Sequence, residues 1–182
     1  LWNFTRKKKM RVLKYLGILL FIGVGYSFIQ FEQQEQQKEQ VREEEIEQYE
    51  KQEVVDPSIL GMITLVKTGK KSLIKQGEIE EILSQNQVVS LTQTLDTKED
   101  LYLAGHSIPQ VFGDLHDYQI GDRLLLSFQN QQQEYEIYQT KKVSTSDFQV
   151  FQSEEDFPRL VLITCTNHQQ IRYVVFAKSV HS

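Results

Sequence analysis

The segment that decides the fold is RLVLITCTNHQQIRYVVFA, residues 159–177. Two apolar runs rich in β-branched residues flank a polar turn, and this pattern predicts two β-strands joined by a loop. The run from Arg159 to Thr164 is almost continuously apolar, which is typical of a central strand buried on both faces. The only cysteine of the chain, Cys165, ends that run. A thiol at a strand end can reach a groove, whereas a thiol in mid-strand is usually packed away.

Similar short runs recur through the last two thirds of the chain and predict further strands. The six predicted strands are Leu60–Val66, Leu101–Ala104, Arg123–Phe128, Tyr135–Val143, Leu160–Thr166 and Ile171–Ala177. Residues Gly77–Gln85 carry the clearest helical pattern, and Gln110–Asp117 predict a turn or a short helix. The predicted class is therefore mostly β, a barrel or sandwich that closes its own edges.

Composition limits the partners that this chain can have. Its 182 residues, 40% of them hydrophobic, suffice for one domain of ordinary size plus an appendage. The net charge of -5 averages a basic start against an acidic segment, and no basic stripe is interleaved with aromatic residues. Nucleic acid is therefore excluded as a partner. A single cysteine forms no intramolecular disulfide, and no cysteine and histidine cluster has metal-ligand spacing, so we expect no metal and no cofactor.

The N-terminal region has the pattern of a membrane anchor. Residues 6–14, RKKKMRVLK, precede a run without charge, YLGILLFIGVGYSFIQF, residues 15–31. As a helix this run is about 25 Å long, which is short but usable for a hydrocarbon core of about 30 Å. The preceding basic residues predict a cytoplasmic segment 1–14, a transmembrane helix 15–31 and an extracellular remainder. A cleaved signal peptide is the alternative, but Phe28–Phe31 offer no small residues for cleavage, so we favour the anchor.

A polar segment separates the predicted anchor from the predicted globular domain. Residues 32–56 are rich in good helix formers and in acidic residues, and Asp56 and Pro57 end them. Val41, Ile46 and Tyr49 are too sparse for a heptad seam. We therefore expect an acidic stalk at 32–56, followed by one globular domain at 57–182.

Two other side chains stand beside predicted strand ends, as Cys165 does. His106 follows the run LYLAG, and Arg172 opens the strand after the polar turn. An imidazole can hold a thiolate and later protonate a leaving amine, and a guanidinium can donate to a developing oxyanion. If the three converge in space, they form an acyl-transfer site. Each also has a structural interpretation: a lone cysteine is usually a small core residue, His106 can be a core imidazole, and Arg172 a surface partner of a carboxylate.

These segments resemble those of sortases, the membrane-anchored transpeptidases of Gram-positive bacteria. LITC at 162–165, followed by Arg172, is similar to their TLxTC-to-Arg signature, with Val161 where threonine is usual. LAGH at 103–106 is similar to the strand end that bears their histidine. The remaining matches are LGMI at 60–63, FGDL at 112–115 and IGD at 120–122. The resemblance covers about residues 59–179 in family order.

The resemblance implies a closed eight-stranded sortase-type β-barrel with short helices, whose groove binds a sorting signal of the LPxTG type in surface-protein precursors. Cys165 would attack the carbonyl between Thr and Gly, His106 would protonate the departing amine, and Arg172 would hold the substrate or its oxyanion. An amine of a peptidoglycan precursor would then resolve the thioester. The residues that would line the groove are Ala104, Ile163 and Thr164.

Within the family, we expect a class A-like enzyme. Asp56 and Pro57 abut the first strand too closely to form the lid of pilin-polymerising sortases, and no second apolar span follows the last strand. Asp96, Glu99 and Asp100 are too few for a calcium site, so we expect no calcium requirement. The other histidines, His116, His168 and His181, are expected to have no role.

Two alternatives share the same residues. A thiol hydrolase would release the same acyl intermediate to water. A non-catalytic barrel would bind the peptide and leave Cys165 as an ordinary thiol.

Overall fold

The computed structural model describes residues 2–52, 56–129, 131–147, 152–153, 155–166 and 170–180. The chain divides into two compact units, Leu1–Val41 and Arg42–Ser182. The first unit is the larger part of helix α1, which runs from Trp2 to Glu50.

The predicted anchor lies within α1. Over the described residues, no helix combines the length and the apolar character that crossing a membrane requires. The side chains of residues 1–19 and 21 lie outside the described part, and they include the whole predicted basic segment and part of the predicted anchor.

In the described part of the second unit, eight strands close into a barrel in the order β1-β2-β3-β4-β7-β8-β6-β5. The strands are β1 Ile59–Leu65, β2 Lys70–Lys75, β3 Val88–Ser90, β4 Leu101–Gly105, β5 Arg123–Phe128, β6 Gln131–Ser144, β7 Arg159–Cys165 and β8 Ile171–Ser179. Helix α2 spans Ile79–Ser84, and a short 3-10 helix spans Leu115–Asp117. The expected closed barrel is confirmed, as are the six predicted strands and both helical segments.

Strand β7 is the central strand of the half of the barrel that bears the candidate site. It pairs in parallel with β4, from Leu101↔Leu160 to Gly105↔Thr164, and antiparallel with β8. Every residue of β7 before Cys165 is buried, which confirms the strand predicted to be covered on both faces.

The two faces of β7 belong to different hydrophobic clusters. Leu160 and Leu162 point into the main core of the barrel. The alternate residues, Val161 and Ile163, belong to a second cluster on the other side of the sheet. We call this second side the outer face; its cluster consists of Val143, Val161, Ile163, Val174 and Phe176, with Tyr102, Ala104 and Tyr138 packed against it.

The last turns of α1 are part of the same compact unit as the barrel. Arg42 is buried and donates from Nη1 to the carbonyl oxygen of Lys71 at 2.9 Å. Both carboxylate oxygens of Glu45 lie 2.9 Å from Nζ of Lys75 in β2. The hydroxyl of Tyr49 donates to the carbonyl oxygen of Ser127 in β5 at 3.2 Å. Residues 42–50, which belong to the segment predicted as a stalk, thus pack on the barrel through polar contacts; we call them the docked helix end.

Candidate active site

The parallel pairing of β4 and β7 brings His106 and Cys165 to one edge of the barrel. The last pair of that ladder is Gly105↔Thr164, and His106 and Cys165 each stand one residue beyond it. Neighbouring strands lie about 4.8 Å apart. Both side chains are exposed, so a substrate can reach them from solvent.

Arg172 reaches the same edge from the other side of β7. It pairs directly with Cys165 in the antiparallel ladder between β7 and β8. Side chains at directly opposed positions lie on one face of the sheet, with Cβ atoms about 4.5–5.5 Å apart. Arg172 is half-buried and is the second residue of β8. The three candidate catalytic residues therefore stand at the ends of three adjacent strands, β4, β7 and β8, at one edge of the barrel.

The alternation of side chains along the strands assigns these residues to the outer face. His106 follows Tyr102 and Ala104 at spacings of two residues, and Cys165 follows Val161 and Ile163 in the same way. Ala104 and Ile163, two of the three residues expected to line the groove, therefore share this face with the thiol. The apolar outer face leads along the strands to Cys165.

The chain segment after β6 supplies an aromatic side chain to this face. The ring of Phe157 meets the ring of Tyr138 edge-on, with centroids 5.6 Å apart. Tyr138 in turn lies 6.4 Å from the ring of Phe176. Burial raises the pKa of the Tyr102 and Tyr138 phenols, so both stay neutral at physiological pH. These aromatic rings and the aliphatic side chains of the cluster make the middle of the outer face apolar.

Thr164, the third residue expected in the groove, points the other way. It is 4% exposed, and its Oγ1 is buried without a hydrogen-bond partner in the described structure. It lines a cavity of about 350 Å³ together with Cys165 and Tyr173. Cys165 thus separates two environments, the outer face with Ala104 and Ile163, and the cavity with Thr164.

The cavity also contains residues that the sequence did not single out for a role. His116 and Lys142 both line it, alongside Cys165. His116 was expected to have no role. Lys142 carries no sequence signal of a site, because its place beside the cavity follows from its pairing with Tyr173 across β6 and β8. The other two histidines expected to have no role, His168 and His181, lie outside the described residues.

The backbone after β4 is folded tightly behind His106. The amide of Phe112 donates to the carbonyl oxygen of His106 at 3.1 Å, and the amide of Gly113 donates to that of Ile108 at 2.8 Å. A Cβ atom at Gly105 would lie 2.7 Å from Cδ2 of Phe112 and 2.8 Å from Cγ1 of Val111. Glycine at position 105 therefore allows this loop to pack directly against the end of β4.

No three acidic, histidine or cysteine side chains of the described residues are grouped so that they could hold a metal ion. Of the three acidic residues weighed for calcium, Asp100 is engaged by the guanidinium of Arg159, with Nε 3.0 Å from Oδ2. The independence of calcium stays a prediction.

Comparison with known proteins identifies the class to which this barrel and site belong. The model of the sortase domain matches residues 63–180. The chain therefore belongs to the sortase family. Sortases are cysteine transpeptidases that act on the sorting signals of surface-protein precursors.

Solved sortase structures share the fold. Sortase C1 from Streptococcus agalactiae is 24% identical, with a TM-score of 0.63 over 71% of this chain and 72% of its own. A sortase D5 transpeptidase from Clostridium perfringens is 25% identical, with a TM-score of 0.62 over 79% of this chain and 98% of its own. Sortase A from Corynebacterium diphtheriae is 20% identical, with a TM-score of 0.63 over 70% and 63%. A search of curated proteins found no significant match.

Proposed function

We propose that the chain is a class A-like sortase, which cleaves an LPxTG-type sorting signal between Thr and Gly and joins the protein to an amine of a peptidoglycan precursor. The observation that supports the proposal is the strand register: the β4–β7 and β7–β8 ladders bring the strand ends that bear His106, Cys165 and Arg172 to one edge of the barrel. These are the residues that acyl transfer needs: a nucleophile, a proton donor and a cation for the oxyanion.

The proposed reaction has two halves. In the first, the thiolate of Cys165 attacks the Thr carbonyl, and the electron pair of the carbonyl moves to an oxyanion that Arg172 stabilises. When the C–N bond breaks, His106 gives its proton to the departing glycine amine, and a thioester remains. In the second half, an incoming amine attacks the thioester, and its proton passes to His106. The new amide leaves, and the thiolate is restored.

The two sides of Cys165 provide different surroundings for the substrate. The outer face ends beside the exposed thiol in the half-buried Ala104 and the buried Ile163, which suits the apolar part of an extended sorting signal. The cavity on the other side offers the hydroxyl of Thr164. We assign the acyl donor to the outer face and Thr164 to a hydrogen bond with the substrate at the scissile end.

The class A-like assignment rests on the chain before the barrel. Residues 51–58 alone separate α1 from β1, which leaves little chain for a lid there. Structures of classes A, C and D share the fold at 20–25% identity, so the comparisons themselves leave the class open.

We propose further that residues 15–31 anchor the enzyme in the cell membrane of a Gram-positive bacterium, with residues 1–14 in the cytoplasm and the barrel outside. The uncharged run after six basic residues supports this topology. The described apolar side chains of the run, including Leu20, Ile22 and Phe28, are exposed. External protease applied to intact cells should digest the barrel and spare a tag at the N-terminus; digestion of the tag would contradict the topology.

The function is tested by intact-mass analysis of the full chain in detergent micelles. The chain is incubated with an LPxTG peptide, with and without a glycine- or alanine-type amine. We expect a thioester adduct and, with the amine, a ligated peptide. Adduct and free acid alone, whatever the amine, would identify a hydrolase, and no adduct across several motif variants would refute the proposal in favour of a peptide-binding barrel.

Variants give the test its controls. Cys165→Ala should form no adduct, and His106→Ala should lose turnover. His116→Ala is the matched control, because His116 lines the cavity beside Cys165 but is given no proton-transfer role. If His116→Ala abolished turnover and His106→Ala did not, the proton donor would be His116.

A further inference from the structure

The relative position of His106 and Cys165 depends on how β4 and β7 are aligned along their length. The two strands are parallel neighbours, and residues 106–158 connect them. A hairpin turn sets the register of an antiparallel pair, but a long crossover leaves the register of a parallel pair free. The alignment therefore comes from the ladder itself, from the pairing of each strand with its other neighbour, and from side chains that bridge β4 and β7.

Hydrophobic patterning alone does not select one alignment. A shift by one residue would exchange the two faces of β7, which the burial of its alternate residues resists. A shift by two residues keeps every side chain on its face and keeps leucines inside, because Leu101 and Leu103 of β4 pair with Leu160 and Leu162 of β7. Such a shift would move the thiol by about 6–7 Å along the strand. His106 and Cys165 would then no longer face each other.

A polar pair stands at the opposite end of the same ladder. The first ladder pair is Leu101↔Leu160, and Asp100 and Arg159 each stand one residue before it. Oδ1 of Asp100 accepts the backbone N–H of Arg159 at 2.8 Å, and Oδ2 accepts Nε at 3.0 Å and Nη2 at 2.5 Å. One carboxylate thus binds both the backbone and the side chain of the residue that starts β7.

The surroundings of the Asp100–Arg159 pair make any other alignment of β4 and β7 unfavourable. Arg159 is 4% exposed, and its guanidinium lies 5.7 Å from the ring centroid of Phe176. The Tyr102 hydroxyl donates to Oδ2 of Asp100 at 3.1 Å and accepts from Nη2 of Arg159 at 3.2 Å. Burial alone would raise the pKa of Asp100, but the hydrogen bonds from Arg159 outweigh burial and lower it, so the carboxylate is ionised at neutral pH. A two-residue shift would leave a buried guanidinium without its carboxylate, which is strongly unfavourable.

We propose that Asp100 and Arg159 are positioning residues that fix the register of β4 against β7 and thereby hold His106 against Cys165. Neither is among the residues that the acyl-transfer chemistry requires. The pair and the catalytic pair occupy the two ends of one ladder, both on the outer face. The inference rests on the proposed role of His106 and Cys165 in one site.

The experiment measures how Cys165 and His106 are coupled, with and without a peptide substrate. The rate at which iodoacetamide alkylates Cys165 in the full chain is recorded against pH, and His106→Ala defines the profile of the uncoupled thiol. Asp100→Asn keeps the size of the side chain and removes its charge. Arg159→Lys keeps the charge and removes the paired donation of Nε and Nη2 to Oδ2. Peptide turnover gives kcat and KM for the same proteins.

Asp122→Asn is the matched control. Oδ2 of Asp122 also accepts one backbone N–H, from Gln119 at 2.9 Å, and one cation, Nζ of Lys67 at 3.0 Å. It lies in the turn before β5 and belongs to neither β4 nor β7. A general loss of stability would affect both aspartate variants, whereas a loss of register would affect only the first.

We expect Asp100→Asn to shift the alkylation profile towards that of His106→Ala, and to lower kcat by about tenfold to a hundredfold. Arg159→Lys should have a smaller effect in the same direction, and Asp122→Asn should match the wild type. A folded Asp100→Asn protein with the wild-type profile and kcat would overturn the inference. So would equal losses in Asp100→Asn and Asp122→Asn, or identical profiles for the wild type and His106→Ala.

Two further outcomes, a variant that does not fold and a wild type without turnover, still leave the inference testable. If Asp100→Asn does not fold, the Arg159→Lys profile decides, since this variant keeps a charged partner for the carboxylate. If the wild type turns over no peptide, the proposed function fails, but the alkylation profiles still test whether Asp100 holds the two residues in register.

Discussion

Replacing Glu45 by alanine should destabilise the barrel, although Glu45 lies in a helix whose sequence indicates a solvated stalk. The carboxylate accepts two hydrogen bonds at 2.9 Å from Nζ of Lys75 and one at 2.9 Å from Nε2 of Gln87. The side chain of Lys75 is 5% exposed and that of Glu45 is 26% exposed. The substitution would leave a buried ammonium and a buried amide without their main partner.

The size of the effect follows from this geometry. Removing one partner of a fully buried ion pair costs about 3–5 kcal/mol. Glu45 is partly exposed, and Oδ2 of Asp56 lies 3.9 Å from Nζ of Lys75 and can partly replace it. We therefore expect a loss of about 2 kcal/mol in the free energy of unfolding. For a unit of about 140 residues, an unfolding entropy of about 2.1 cal/mol/K per residue converts this to a fall in Tm of about 7 °C.

Thermal unfolding followed by near-ultraviolet circular dichroism measures this shift in the full chain. Glu47→Ala is the matched control, because Glu47 belongs to the same helix but its described ion pair is local, with Lys51 just after the helix end at 2.6 Å, and its side chain is 65% exposed. Its Tm should equal that of the wild type within error. An unchanged Tm for Glu45→Ala, or equal falls for both variants, would refute the view that the docked helix end stabilises the barrel.

Three further predictions concern the packing at Gly105, the docked helix end and the charge of Asp100. Gly105→Ala should lower both stability and turnover, since its Cβ would lie 2.7 Å from the ring of Phe112; a fully active, equally stable variant would contradict the packing. A fragment beginning at Arg42 should have a higher Tm than one beginning at residue 54, which lacks the docked helix end. Because the pKa of Asp100 is lowered on folding, its contribution to stability is complete above its unfolded value of about 3.9 and is lost as the pH falls through the folded value. Acid unfolding followed by fluorescence should therefore be less steep in Asp100→Asn.

The strands that local patterning predicted are those with apolar or alternating sequences. Strands β5, β7 and β8 were placed within two residues of their observed ends. Strand β2, KKSLIK, was missed because its lysines break the apolar pattern, although Lys75 is buried and pairs with Glu45 of α1. Strand β3 has three residues, Val88–Ser90, which is too short for a periodic signal. Contacts with remote segments therefore decide both strands, and such contacts leave no local pattern.

For the candidate site too, local features could be predicted from the sequence, whereas contacts between remote segments could not. A strand end could be predicted for His106 and for Cys165, but their adjacency depends on the parallel pairing of β4 with β7, which no local pattern encodes. The resemblance to sortases supplied that adjacency as an expectation. Thr164 was expected to lie in the groove with Ala104 and Ile163, yet its side chain takes the opposite face, because successive residues of a strand alternate.

This placement of Thr164 separates its role in the fold from its role in the reaction. Its Oγ1 is buried without a hydrogen-bond partner in the described structure, which is a cost to the folded state. Thr164→Val has nearly the same shape and removes that cost, so it should keep or raise the free energy of unfolding, by up to about 1 kcal/mol. If the hydroxyl binds the substrate beside Cys165, the same variant should form acyl enzyme more slowly, and Thr164→Ser should retain most of the rate.

Ser127 offers the matched control, since its Oγ is also buried without a described partner but lies on β5, outside the cavity that Cys165 lines. Ser127→Ala should leave acylation unchanged, whatever its effect on stability. Intact-mass measurement of acyl-enzyme formation, together with urea unfolding, distinguishes the two roles. Slower acylation in a Thr164→Val protein of undiminished stability would assign the hydroxyl to the substrate. If Thr164→Val is less stable and acylates at the wild-type rate, the hydroxyl has a role in the fold. Its loss lowers stability only if the hydroxyl already makes a hydrogen bond in the folded protein.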